Sequence, residues 1–302
     1  MVFAPTSERT PDLRSAQGQG RQTGRVRALP PPLAIAATCL LIGAALDEPR
    51  AQARLANREQ ATLRIIFQEG FSARQMVDRV AAVRRIAIAK RGIRPRLTGT
   101  AYRRAVSQAV APAPFERYLK RRSVEGFLFP ALYEFTASTT AGELVADQLA
   151  AFQERWAGID LRTARARGRT PYDVLSIGSM VERETIAPRE RALVAAVIYN
   201  RLDRGMPLGI DATIRYGLGI PGTRPLTQEH LRSDSPYNTR RFTGLPPTPI
   251  GNPGLASLRA AARPAKVDYL YFVRKPDKIH HLFTADEAEF CRKSLEFGYG
   301  GC

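Results

Sequence analysis

Apolar positions near the start of the folded part of the chain alternate and then recur at helical spacing. Residues 62–67 (TLRIIF) favour a strand that a Glu-Gly turn follows. Ser72 and Gln75 form a capping box, which predicts a helix from there to about Val83. Residues 84–122 are rich in arginine and predict no element. The opening pattern is therefore that of a small strand-turn-helix unit.

The rest of the chain carries helix-capping signals at regular intervals. Thr140 with Glu143, and Thr170 with Pro171, mark the starts of two helices. The predicted elements are helices from 140 to about 156, 170 to about 188, 189 to 204 and from 284, and a short buried strand at 269–273. Residues 206–254 contain many Gly and Pro and predict a long loop, and long loops in compact domains are usually functional.

The N-terminal region differs from the rest in composition. Residues 1–27 predict a disordered basic tail, and residues 28–47 contain the uncharged run 33–46, which is shorter than the roughly 20 residues of a typical membrane-spanning helix. A cleaved signal peptide, with a small-residue site at 51–53, and a buried helix are the alternatives. We expect an uncleaved single-pass anchor that leaves the following residues outside the cytoplasm.

Composition adds a strong positive charge to this picture. Of the 302 residues, 46 are Lys or Arg and 28 are Asp or Glu, which gives a formal charge of +18. Such a balance indicates a polyanionic neighbour, and nucleic acid, an anionic lipid surface or a cell-wall polymer all fit. The three cysteines are too few and too scattered for a disulfide framework or a thiolate metal cage.

The clearest chemical signal lies in the helix predicted after Thr170. At about 100° per residue, one apolar stripe contains Val174, Ile177, Met180 and Val181, and Glu184 falls within that stripe. Burial penalises an ionised carboxylate, so a glutamate there tends to have a raised pKa and to remain protonated near neutral pH. A general acid needs such a carboxyl group.

The helical pattern alone leaves other roles for these acids open. Glu184 could form an internal salt bridge with Arg191 or Arg201. Glu182 lies on a different sector of the helix, where a solvated position or an ion pair would suffice. Glu190, like most acids on helices, is expected on a solvated face.

Several other chemistries lack their sequence signatures. His230, His280 and His281 do not have the spacing of a zinc site, and Ser179 is not in a nucleophile elbow. The aromatic residues do not follow the pattern of an RNA-binding sheet. The sequence therefore predicts no metal and no cofactor.

Residues 175–219 (LSIGSMVERETIAPRERALVAAVIYNRLDRGMPLGIDATIRYGLG) resemble the central signature of the endolytic murein transglycosylases, the YceG-like family. Residues 124–135 (VEGFLFPALYEF), 235–266 and 268–273 (DYLYFV) are also similar to that family. Together these stretches cover nearly all of residues 123–290 in the family's order. The combination is highly specific.

The resemblance implies an α+β fold with an N-terminal membrane anchor, a small LysM-like domain and a helix-rich catalytic domain with a small sheet. We expect a disordered cytoplasmic tail at 1–27, a transmembrane anchor or signal-like segment at 28–47, a LysM-like domain and connector at 60–122, and a YceG-like catalytic domain at 123–302. The catalytic domain would lie on the extracytoplasmic side of the inner membrane.

The family cleaves the bond between N-acetylmuramic acid and N-acetylglucosamine in nascent peptidoglycan without water. One glutamic acid protonates the leaving oxygen, and the muramoyl 6-hydroxyl closes on C1 to leave a 1,6-anhydro end. The resemblance places this acid at Glu184, with Glu182 as the alternative. A single acid suffices because the substrate's own hydroxyl replaces the water that a hydrolase must activate.

The resemblance also implies glycan strands and the peptidoglycan synthesis machinery as partners. Polar residues near the predicted site are candidate substrate contacts, although such residues also stabilise turns and caps. These candidates are Glu125, Asn200, Arg201, Asp211, Thr213, Tyr237 and Asn238. Gly209 stands where many family members have Gln, so a saccharide contact there is in doubt.

Two non-enzymatic hypotheses remain beside the lytic transglycosylase. A cell-wall binding protein would hold glycan while Glu184 serves only structure. A nucleic-acid binder would use the basic segment 84–122, which we do not expect because the predicted topology places that segment outside the cytoplasm.

Overall fold

The computed structural model of the protein describes residues 61–119 and 121–300. The predictions of a basic tail at 1–27 and an anchor at 28–47 concern residues outside this part. None of the helices that the structure describes combines the length and the apolar sequence of a membrane-spanning segment.

The strand-turn-helix unit predicted at the start of this region is present. Strand β1 spans Leu63–Ile66, and helix α1 spans Ala73–Arg91. The Ser72 capping box forms as predicted. Helix α1 runs beyond the predicted end near residue 83, because Ala, Arg and Lys favour the helix until Gly92 ends it with a φ of 63°.

The segment 84–122, for which no element was predicted, contains the end of α1 and helix α2, Gly99–Gln108. Strand β2, Leu132–Phe135, pairs antiparallel with β1, with Leu63 opposite Phe135. This sheet joins strands on both sides of the boundary predicted at residue 122. The boundary itself stays a prediction.

Besides the Ser72 capping box, two further predicted capping signals start helices in the structure. Helix α3 spans Ala141–Ala157, α4 spans Arg162–Ala166, α5 spans Pro171–Glu184 and α6 spans Arg191–Asp203. Thr140 and Thr170 each form a capping box. Helix α5 was predicted to end near Pro188, but it ends at Glu184, because Thr185 is already extended and Pro188 disfavours a helical residue before it. This early end places Glu184 at the helix terminus.

The region predicted as a long loop contains two helices, so that prediction was wrong in part. Helix α7 spans Asp211–Leu218 and α8 spans Gln228–Leu231; α9, Leu255–Ala262, follows the region. Residues 211–215 are all buried although three of them, Asp211, Thr213 and Arg215, are polar, so the polarity of the sequence does not mark the buried face of α7. Helix α7 is the element that lies next to Glu184.

The C-terminal part forms a second small sheet. Strand β3, Tyr271–Arg274, pairs antiparallel with β4, His281–Thr284, and α10 spans Glu287–Glu296. Thr284 was predicted to cap the last helix, but it ends β4 and Asp286 is the cap. The Thr284 hydroxyl accepts a hydrogen bond from the Asp286 N–H instead, at 3.0 Å.

Helix α5 connects the two hydrophobic clusters of the described chain. Its residue Leu175 packs in the first, with side chains from β1, α1 and α3. Val174, Ile177, Met180 and Val181 pack in the second, with side chains from α6 and α9. All five are fully buried, including the four residues of the predicted apolar stripe. Packing in both clusters therefore fixes the orientation of the helix that carries Glu184.

The chain packs so closely beside α5 that Gly126 has no room for a side chain. Its φ is +93°, and an added Cβ would lie 2.7 Å from Cγ of Pro249. Gly205 has a φ of +65° with nothing within 4 Å. We expect Gly205→Ala to lower the free energy of unfolding by about 1–2 kcal/mol through backbone strain, and Gly126→Ala by about 1–3 kcal/mol more through the clash. Urea unfolding of both variants measures this, and equal losses would contradict it.

Candidate active site

The candidate site forms where the end of α5 meets the start of α7. Glu184 is the last residue of α5 and is 4% exposed. Its carboxyl group accepts a hydrogen bond from the backbone N–H of Ala212, in the first turn of α7. A helix N-terminus favours negative charge, so this contact supports the ionised form of Glu184.

Burial, and to a smaller extent the negative charge of Asp211, raises the pKa of Glu184 to about 7. The positive charge of Arg274 and the Ala212 hydrogen bond lower it, but they do not offset burial. A pKa near 7 means that the protonated and ionised forms of the group are about equally populated at neutral pH. The group can therefore both donate and accept a proton. The burial of this carboxyl group on the apolar stripe is confirmed, and its role as the proton donor stays a prediction.

Asp211 is the second acid of this site, and an arginine holds it in place. It is 3% exposed, and its Oδ1 accepts hydrogen bonds from Nε and Nη2 of Arg240 at 2.9 and 2.7 Å. Charge-assisted bonds of this kind stabilise the ionised carboxylate. Asp211 thus supplies a fixed negative charge beside Glu184.

A cavity of about 320 Å³ opens in front of Glu184. Arg201 and Arg240 contribute polar groups to its lining, and Phe272 contributes an apolar surface. Gly209 also lines it. The volume lies within the range of about 300–1,000 Å³ that small-molecule sites occupy. We call this space the Glu184 cavity.

Of the two predicted contacts on α6, one lines the Glu184 cavity. Nε of Arg201 donates to the Leu270 carbonyl at 2.5 Å, and its guanidinium lies 5.0 Å from the centre of the Tyr271 ring. Asn200 donates instead to the carbonyls of Val267 and Tyr269, both at 2.9 Å. Asn200 thus holds the chain before β3, and its predicted contact with substrate stays a prediction.

Thr213 and Asn238 are buried in the loop structure beside α7. The Thr213 hydroxyl donates to the Ile210 carbonyl at 2.6 Å, and the Asn238 amide donates to the Leu231 and Ser233 carbonyls at 3.0 and 2.8 Å. These bonds position the loop that carries Arg240. Both residues therefore stabilise the local loop, which was the alternative to substrate contact. Their contact with substrate stays a prediction.

Glu125 and Tyr237 line a different and larger cavity, of about 620 Å³. Because Arg74, Arg183 and Arg215 also line it, we call it the arginine cavity. Glu125 is 5% exposed, and burial raises its pKa to about 7. Its carboxyl group accepts hydrogen bonds from three donors. These donors are the Ala73 N–H at 3.0 Å, the Tyr216 hydroxyl at 3.0 Å and the Asn252 amide at 2.9 Å.

Glu182, the alternative catalytic acid, points away from both cavities. Its carboxylate accepts a hydrogen bond from the Gly254 N–H at 2.9 Å and lies 3.8 Å from Nη2 of Arg191. This is the ion-paired position that the helical phase allowed. Arg191 therefore pairs with Glu182 rather than with Glu184.

The expectation that Glu190 is solvated was wrong. It is 8% exposed, and its carboxylate accepts hydrogen bonds from Nδ1 of His281 at 2.6 Å and from the His281 N–H at 3.0 Å. Nε of Arg274 lies 3.5 Å from Nε2 of the same ring, and Nη2 of Arg274 donates to the Glu184 carbonyl at 2.9 Å. Glu190 and His281 are 91 positions apart, so no local pattern connects them.

Within residues 61–119 and 121–300, no three His, Cys, Asp or Glu side chains gather as metal ligands would. The chemistry that this part of the chain offers is proton transfer by a buried carboxyl group. Sequence reasoning found that group and Asp211. It missed Arg240 and Arg274, because arginines are frequent throughout this chain and neither stands in a distinctive local pattern.

Two curated relatives resemble the chain over about half of its length. It is 36% identical over 155 residues to an endolytic murein transglycosylase of Bacillus subtilis strain 168, which is 51% of this chain and 43% of that protein. It is 35% identical over 179 residues to a Streptococcus pneumoniae R6 protein of the same name, which is 56% of this chain and 32% of that protein. The chain thus spans less than half the length of each relative.

A solved structure and a family model extend the likeness. A Listeria monocytogenes protein described as YceG-like matches with a TM-score of 0.62 and 26% identity, over 77% of this chain and 75% of that one. The family model described as the YceG-like family matches residues 38–295. The match includes most of the chain, and the chain therefore belongs to the YceG-like family.

Proposed function

We propose that the protein is a lytic transglycosylase that cleaves the bond between N-acetylmuramic acid and N-acetylglucosamine within peptidoglycan strands. The observation that carries the proposal is the carboxyl group of Glu184, which is buried at the edge of a cavity with a pKa of about 7. The name that the curated relatives share supports the substrate and the reaction.

Glu184 acts twice in the proposed reaction. Its protonated carboxyl gives its proton to the glycosidic oxygen as the bond from that oxygen to C1 of the muramoyl sugar breaks. The muramoyl 6-hydroxyl then attacks C1, and the Glu184 carboxylate takes the proton of that hydroxyl. The product has a 1,6-anhydro end, and Glu184 is protonated again. Holding the hydroxyl next to C1 gives it a high effective concentration, so no water needs to be activated.

The neighbours of Glu184 are suited to both steps. The Ala212 N–H stabilises the carboxylate that forms when the proton leaves. The carboxylate of Asp211 pairs with Arg240, and its charge favours the positive charge that develops at C1. Arg201 and Arg240 line the Glu184 cavity and are the donors that we propose for hydroxyl and carbonyl groups of the sugars.

The same surroundings argue against the non-catalytic alternative. A glutamate that serves only structure is expected to pair with a neighbouring cation or to lie in solvent, as Glu182 pairs with Arg191. Glu184 is instead buried beside another acid, Asp211, at the edge of a cavity, which raises the free energy of its ionised form. Such an arrangement is typical of a group that exchanges a proton.

We further propose that the N-terminal segment 28–47 anchors the protein in the inner membrane with the catalytic part outside the cytoplasm. The uncharged run after a basic tail supports this topology. The formal charge of +18 suits a position near anionic lipids and wall polymers. By the family resemblance, the partners are nascent glycan strands and the machinery that synthesises them.

Replacing the proposed acid is the direct test of the function. We expect Glu184→Gln to lower kcat on uncrosslinked glycan strands at least about a hundredfold, because the amide cannot donate a proton to the leaving oxygen. Mass spectrometry of the products would show the loss of 1,6-anhydro ends.

Glu182→Gln is the matched control, since its amide oxygen can still accept the Gly254 N–H. We expect this variant to stay within about fivefold of the wild type, because Glu182 faces neither cavity. If Glu182→Gln lost the activity and Glu184→Gln kept it, the acid would be Glu182. Strands left intact by the wild-type protein would support the glycan-binding alternative.

The pH dependence follows from the pKa of Glu184. A general acid is active when protonated, so kcat/KM should fall as the pH rises through about 7. Asp211→Asn removes the negative charge that raises the pKa of Glu184. We expect this variant to move the alkaline fall of kcat/KM to lower pH by about one unit, which pH profiles of initial rates measure.

Asp234→Asn is the control for this shift. Asp234 also pairs with an arginine, Arg241, at 2.8 Å, but its side chain is 82% exposed. We expect its pH profile to match that of the wild type. An alkaline fall that stays in place in Asp211→Asn would show that Asp211 does not act on the proton donor.

A further inference from the structure

The arginine cavity has no role in the proposed reaction, although its volume is about 620 Å³. It lies between the start of α1, the end of α5 and the second half of α7. Arg183 lines it and directly precedes Glu184 in the chain. Its guanidinium interacts electrostatically with both Glu125 and Glu184. The arginine cavity therefore adjoins the proposed site of bond cleavage.

The length of helix α7 gives the distance between Glu184 and the arginine cavity. Asp211, at its start, acts on Glu184, and Tyr216, five positions later, lines the arginine cavity. At about 1.5 Å per residue, these two positions are roughly 7–8 Å apart along the helix axis. A group that branches from a sugar held at Glu184 can reach the arginine cavity with a short extended chain.

The arginine cavity is positively charged on balance. Three arginines line it against two acids, Asp78 and Glu125. Glu125 already accepts hydrogen bonds from Ala73, Tyr216 and Asn252, and its pKa of about 7 leaves it only partly ionised at neutral pH. Asp78 is exposed. The guanidinium groups consequently make the cavity favour a negatively charged ligand.

Two of these guanidinium groups retain donors that no other described residue uses. Arg183 donates only through Nη1, to the Gly70 carbonyl at 2.9 Å and to Oε1 of Gln75 at 3.5 Å. The side chain of Arg74 is exposed and makes no hydrogen bond to another described residue. A Cβ at Gly219 would collide with Nη1 of Arg74, so the glycine allows that guanidinium to lie against the wall of the cavity.

We propose that the arginine cavity binds carboxylate groups of the peptide stem that branches from the muramoyl sugar of the substrate. This inference rests on the proposed function. The stem leaves the lactyl group of the sugar whose C1 faces Glu184, and it carries several carboxylates. An extended chain spans about 3.3–3.6 Å per residue, so two or three stem residues cover the distance. The planar donors of arginine match carboxylates, and the Tyr216 and Tyr237 rings, with centres 5.1 Å apart, offer the peptide an apolar surface.

The test compares two substrates with the full-length protein. One is uncrosslinked glycan strands that carry their peptide stems. The other is the same strands after an amidase has removed the stems. We expect the wild-type protein to cleave the strands with stems with a kcat/KM at least about tenfold higher, the scale of a hydrogen bond between charged groups.

Arg74→Glu should remove this preference, lowering kcat/KM about tenfold or more on strands with stems and less than about twofold on stripped strands. Arg85→Glu is the matched control, because it makes the same charge change at an exposed position of α1 outside the cavity. It should behave as the wild type on both substrates, which separates a local contact from a general attraction to anionic strands.

The outcomes distinguish this inference from the proposed function. Cleavage of both substrates without a preference, or an equal loss on both in Arg74→Glu, would overturn stem binding and leave the transglycosylase intact. Cleavage of neither substrate by the wild-type protein would overturn the proposed function and this inference with it.

Discussion

The candidate site depends on keeping an ionisable carboxyl group out of water at the end of α5. Four apolar side chains of that helix, Val174, Ile177, Met180 and Val181, are fully buried on the stripe that ends at Glu184. Turning the whole helix so that Glu184 faced solvent would expose this stripe, at a cost of roughly 1.5–3 kcal/mol for each large apolar side chain. The hydrophobic packing of α5 is therefore the force that holds the carboxyl group in place.

The helix that contacts this carboxyl group, α7, is short and has little stability of its own. Helix α7 spans only Asp211–Leu218, and isolated helices of that length do not persist in water. Burial of residues 211–215 and the hydrogen bonds of Thr213 and Asn238 to neighbouring carbonyls keep it ordered. The position of the Ala212 N–H against Glu184 thus depends on packing and on the loop, and less on helix propensity.

The sequence allowed α5 to be predicted well because its signals are local. A capping box at Thr170 and apolar residues at helical spacing fixed both its start and the direction of Glu184. Helix α7 was not predicted, because its buried positions include the polar residues Asp211, Thr213 and Arg215, which a sequence pattern assigns to the surface. Glu190 was placed wrongly for a related reason, since its partner His281 lies 91 positions away and only the folded chain brings them together.

The arrangement of the two acids bears on why one carboxyl group can carry out the whole proposed reaction. A hydrolase commonly needs a second carboxylate that is available to attack C1 or to activate water. Asp211 is the acid nearest to that role, yet its Oδ1 accepts two hydrogen bonds from Arg240 and the residue is 3% exposed. A carboxylate held in this way is a poor nucleophile or base, but its charge still acts on Glu184. The pairing with Arg240 therefore favours a reaction in which the substrate supplies the attacking hydroxyl and Glu184 both gives and recovers the proton.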